Sequence, residues 1–148
     1  QDSLRREFPY VFEDLKYPGV PDINLHTIEN TPFQVGELVL QPLDVLHYRL
    51  PVTAFRIDDF SYVTDANHIP ESTYEKLKGT KVLVINALRF DKHISHFNLD
   101  EALEVIERVA PKRAYLTHIS HQLGKTINVD AMLPAHVKCA YDGLSIKI

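Results

Sequence analysis

Apolar positions change period along the chain, and the change marks its elements. After a polar opening, Leu25–Glu29 and Gly36–His47 carry Leu, Val and Ile in extended runs, and Pro42 argues for an edge or a bulge in the second. Val52–Ile57 and Phe60–Thr64 read as two further strands joined by a hairpin turn at Asp58-Asp59. Lys81–Ala87 is almost continuously apolar and predicts a strand buried on both faces. Arg113–Thr117 is another strand, and His136–Ile148 reads as a hairpin around Asp142-Gly143.

Helical spacing appears in two places between strands. Pro70 suits the start of a helix running to Lys78, with Gly79 as its stop. Asn98 with Glu101 three residues on forms a capping-box pattern, and Leu99, Ala102, Leu103, Ile106, Val109 and Ala110 share one face before Pro111 ends the helix. A short helical turn at Asp2–Phe12, stopped by Pro9, and a loop at Tyr17–Asp22 make residues 1–35 an irregular lead-in. Strands alternating with helices predict an α/β domain with a mixed sheet. Covering such a sheet on both faces takes more helices than these, so the 148 residues read as a single partial domain.

Charge and composition narrow the partners. Sixteen basic against twenty acidic side chains, with no basic stripe, give no support for nucleic acid. A single cysteine, Cys139, excludes an internal disulfide framework and suits a reducing compartment. With no apolar run of the ~18 residues that span a bilayer, a cytoplasmic protein without membrane contact is expected.

Eight histidines are a high count for this length, and imidazole is both a metal ligand and a general acid or base. His47, Asp65 and His118 each follow an apolar strand, and His96 sits in a loop before a helix. Imidazoles and a carboxylate gathered at one sheet edge would suit Zn, Mn or Fe. By spacing alone His47 and His118 also read as solvated or hydrogen-bonded strand-end residues, Asp65 as a turn or helix-cap residue, and His96 as a cap of the helix that follows it. His26, His68, His93 and His136 are read as solvated or hydrogen-bonded.

Tyr62-Val63-Thr64-Asp65-Ala66-Asn67, His96-Phe97-Asn98-Leu99-Asp100-Glu101-Ala102 and Leu116-Thr117-His118-Ile119-Ser120-His121-Gln122, in this order, resemble the carboxyl-terminal half of the metallo-β-lactamase superfamily. The likeness runs from about Leu38 to the end. It is nearest the phosphodiesterase branch that opens ribosyl 1,2-cyclic phosphate in the phosphonate pathway, and more distant from transfer-RNA 3′-processing nucleases. It implies half of an αβ/βα sandwich and hydrolysis of a small-molecule phosphodiester by a hydroxide held between two divalent ions, zinc or manganese.

Residue by residue, the resemblance makes His47 a ligand completing the first metal's set, Asp65 the bridging carboxylate and His118 the ligand completing the second. It makes His96 a catalytic non-ligand that touches the scissile phosphate or protonates the leaving oxygen. His121 matches a residue that closes a separate structural zinc site in close relatives. The superfamily's His-x-His-x-Asp-His string and the cysteine cluster of that zinc site do not occur in this sequence. The rest of the metal shell is therefore expected from an amino-terminal half in the same protein or another chain, with a homodimer also open. The isolated chain is expected to be inactive. The alternatives are a nuclease of the same superfamily, or a non-catalytic half-domain docking through Phe8, Tyr10 and Phe12.

Overall fold

The computed structural model describes residues 1–147. Seven strands form one mixed sheet in chain order: β1 (Phe33–Val35), β2 (Leu38–His47), β3 (Leu50–Ile57), β4 (Phe60–Val63), β5 (Val82–Asn86), β6 (Arg113–Thr117) and β7 (Val137–Cys139). β1 to β4 pair antiparallel, and β4 to β7 pair parallel. The α/β expectation with a mixed sheet is met.

Tight turns serve the antiparallel half, where Tyr48 and Asp58 take φ of 58° and 48°. Pro42 lies inside β2, paired with Phe55 of β3 but beyond the reach of three-residue β1, so its missing N–H costs no ladder bond on that side. The parallel half needs long crossovers, and these carry α2 (Glu71–Leu77) and α3 (Leu99–Val109). The Arg56 guanidinium donates to the carbonyls of Lys76 and Lys78, satisfying acceptors that the end of α2 leaves open. α3 begins at the expected capping box, with the Asn98 side chain accepting from the Glu101 N–H and the Glu101 carboxylate accepting from the Asn98 N–H. It ends at Ala110 in the left-handed region, immediately before Pro111.

The core lies between the helices and one face of the sheet. Leu43, Ala54, Val63, Ile85, Leu116 and Cys139 stand in one register row across β2 to β7. They pack in a cluster with Leu77 of α2, Leu99, Ala102, Val105 and Ile106 of α3, and Val129 of α4 (Thr126–Asp130). The neighbouring row, Phe55, Tyr62, Val84 and Tyr115, points to the other face and contributes nothing to that cluster; Tyr62 is 42% exposed. Among the described residues no helix is long and apolar enough to cross a membrane.

Two expected strands do not form. Leu25–Glu29 is irregular, since the neighbouring chain that pairs with β2 is Phe33–Val35, and no described strand offers the earlier segment a partner. The terminal hairpin keeps its turn, with Gly143 at φ 89°, but only Val137–Cys139 joins the sheet and 144–147 form no strand; Ile148 lies outside the described residues. β7 takes its ladder from β6, so that hairpin turn has no second arm to organise. The lead-in is not wholly irregular: it holds α1 (Asp2–Glu7), a 3-10 turn at Pro9–Val11, and β1 at its end. Phe8 and Tyr10 are exposed and meet edge to face.

Candidate metal centre

Topology decides which loops meet. β2 is antiparallel to β3 and β3 to β4, so β2, β4, β5 and β6 all end at the same rim of the sheet. His47 is the last residue of β2, Asp65 and His118 each follow a strand there, and His96 lies in the β5–α3 connection. The four residues singled out from sequence therefore converge.

His118 Nδ1 lies 3.4 Å from Asp65 Oδ1, and His96 Nε2 lies 3.9 Å from Asp65 Oδ2. The His96 and His118 rings stack with centroids 4.7 Å apart and planes 9° from parallel. His47 meets His96 edge to face at 4.6 Å. One ligand atom from each of Asp65, His96 and His118 falls within 4.8 Å of the others, the spacing of a cation donor set; His47 stands beside this trio rather than in it. His96 is buried and its Nε2 has no hydrogen-bond partner among the described residues, while His118 is exposed. A buried imidazole nitrogen without a partner, facing a carboxylate and a second imidazole, fits a divalent ion bound by nitrogen and oxygen.

Burial first, and then the neighbouring His118 and His47, push His96 below the ordinary imidazole value against the opposing pull of Asp65. His118 holds φ at 56°, in the left-handed region that most side chains avoid, and this backbone turn accompanies the approach of its ring to Asp65. The Thr64 hydroxyl donates to Asp65 Oδ1.

The loops under these side chains are tied to one another. The buried Asn86 amide, at the end of β5, donates to the Ala66 carbonyl and accepts from the Ala66 N–H, gripping the residue after Asp65 from both sides. Phe97 N–H also donates to the Ala66 carbonyl. Asn67 accepts from the Tyr48 N–H at 2.7 Å and donates to the Ile94 carbonyl at 3.0 Å, linking the loop after His47 to the loop before His96. A 270 Å³ groove opens beside His118, lined by Thr117, Ile119, Ala140, Tyr141 and Asp142.

His93 enters this cluster as well. It is hydrogen-bonded, as read from sequence, but its partners are Ser95 and His96: its ring centroid is 5.0 Å from that of His96. The available signal was the His93-x-Ser95-His96 spacing just ahead of the Asn98 cap. His26, His68 and His136 are exposed. His121 opens a 3-10 turn at His121–Leu123 and is exposed; among the described residues no group of three metal donors includes it.

The beta-lactamase superfamily domain model matches residues 1–119, most of the chain. The chain belongs to the beta-lactamase superfamily. Among solved structures of the fold, a diphosphatase of the PhnP family superposes with a TM-score of 0.87 at 27% identity, over 99% of this chain and 55% of that one. A metallo-β-lactamase fold protein from Bacillus subtilis gives 0.71 at 18% identity, over 97% of this chain and 61% of that one. Human tRNase Z, short form, gives 0.60 at 20% identity, over 78% of this chain and 46% of that one. The last two likenesses concern the fold alone. A curated protein of Porphyromonas gingivalis named octanoyltransferase is 35% identical over 145 residues, 97% of this chain but 30% of that protein. The superfamily chain thus spans about half of the diphosphatase and under a third of that curated relative.

Proposed function

We propose that this chain supplies the carboxyl-terminal part of a metal-dependent hydrolase site acting on a phosphorus–oxygen ester, with a small phosphodiester as the substrate class. The observation that carries the reading is the meeting of Asp65, His96 and His118 at one rim, with His47 against them. The diphosphatase likeness supports phosphorus–oxygen chemistry.

In this reading His47, Asp65 and His118 hold two divalent ions, zinc or manganese, together with donors from an amino-terminal half in the same protein or another chain. Ions bound there would neutralise charge on a phosphate oxygen and lower the pKa of water. The two Asp65 oxygens face different imidazoles, Oδ1 toward His118 and Oδ2 toward His96. His96, held in the middle of the cluster, exchanges a proton with the reacting ester at Nε2. The groove beside His118 admits the rest of the substrate.

The test uses the whole protein that contains this chain, assayed on a cyclic and an aryl phosphodiester with metal added and removed. Chelation is expected to abolish cleavage. His96→Ala is expected to lower kcat by about 10²–10⁴ with the metal retained. Absence of metal-dependent cleavage, together with an indifferent His96→Ala, would end the reading.

A further inference from the structure

We propose that His93 is a positioning residue that, together with Ser95, fixes His96 as the Nδ1–H tautomer and leaves the Nε2 lone pair facing Asp65 and His118. The direction is set by the one donor in the group that cannot be reversed. The Ser95 backbone N–H donates to His93 Nδ1 at 3.3 Å, so that nitrogen carries a lone pair and the His93 ring proton sits on Nε2. His96 Nδ1 lies 3.1 Å from the same His93 nitrogen and 3.0 Å from Ser95 Oγ. Two nitrogen lone pairs facing each other at that distance would repel, so the hydrogen belongs to His96. Ser95 Oγ, 3.0 Å from His96 Nδ1, accepts a share of the same hydrogen.

A neutral imidazole carries one ring hydrogen, so His96 Nε2 is bare. The other side of the ring agrees. Were Nε2 protonated, its buried N–H would need an acceptor, and the facing Asp65 oxygen at 3.9 Å is too distant for a hydrogen bond. The consequence for catalysis rests on the functional reading above: His96 offers the reacting ester a bare Nε2 rather than an N–H. The tautomer itself does not depend on that reading.

Nuclear magnetic resonance of the metal-free chain labelled with 15N-histidine, by long-range proton–nitrogen correlation at about pH 8, reads the tautomer where imidazoles are neutral. The His96 signals are assigned by their loss in His96→Gln. The expected spectrum shows a protonated Nδ1 and an unprotonated Nε2, unchanged in Ser95→Ala. In His93→Phe combined with Ser95→Ala the single-tautomer pattern is lost, and the Nε2 resonance moves toward the protonated range. A protonated Nε2 in the wild-type chain overturns the proposal whether or not the variants fold, and so does an unchanged pattern in the folded double variant. Because neither metal nor substrate is present, an inactive hydrolase leaves this result standing, and the reverse also holds.

Discussion

The two halves of the sheet solve different problems. β1 to β3 are joined by short turns and leave Val35, Leu38, Val39 and Leu50 exposed. β4 to β7 are joined by long crossovers, and all five residues of β5 are buried. The parallel half holds the continuously buried strand, while Leu43, Val45 and Ala54 extend the same core into β2 and β3; because its strands end together the parallel half also carries Asp65, His96 and His118. The antiparallel half contributes His47 at the end of β2. Stability should thus be sensitive along β5 and tolerant at the exposed positions of β1 and β2.

The largest contrast is expected in Cys139 of β7, whose thiol is pushed from an ordinary 9.0 up to about 12, by burial first and then by Asp130. At neutral to mildly alkaline pH its thiolate fraction, and hence its alkylation by iodoacetamide, should fall roughly a thousandfold below that of the unfolded chain. The sign for stability follows. Above pH 9.0 the unfolded thiol loses its proton while the folded one keeps it, so stability falls as pH rises from there toward about 12, and Cys139→Val should flatten that loss.

Next in size is Leu83→Ala, which empties a fully buried site in β5 and should cost about 2–5 kcal/mol by urea denaturation. Asn86→Ala strands the Ala66 N–H and weakens the grip beneath Asp65; about 1–3 kcal/mol is expected, with weaker metal binding. Asn98→Ala removes the α3 cap for about 1 kcal/mol. Val39→Ala, in the antiparallel half and 53% exposed, should stay within about 0.5 kcal/mol. Equal losses for Leu83→Ala and Val39→Ala would erase the distinction between the buried centre of the sheet and its exposed edge.

Much of this was legible in the residues, for reasons that differ by element. The α3 cap, the buried β5 run and the Asp58-Asp59 turn are local, each specified by neighbours in sequence. Leu25–Glu29 and the last hairpin look equally strand-like, yet a strand exists only where another offers its backbone, and pairing is not local. His47, Asp65, His96 and His118 could be named because each follows or precedes a readable element and the motifs resemble those of the superfamily. The role of His93 could not be read, because nothing in a His-x-Ser-His spacing says that two Nδ1 atoms will face each other at 3.1 Å.

Side chains far apart in sequence form one cation site. Calorimetric titration of the whole protein that contains this chain with zinc or manganese, alongside Asp65→Asn and His118→Ala, tests this most directly. Saturable binding in the wild-type protein that is lost in both variants is the predicted result. No binding, or binding that survives both substitutions, would contradict it.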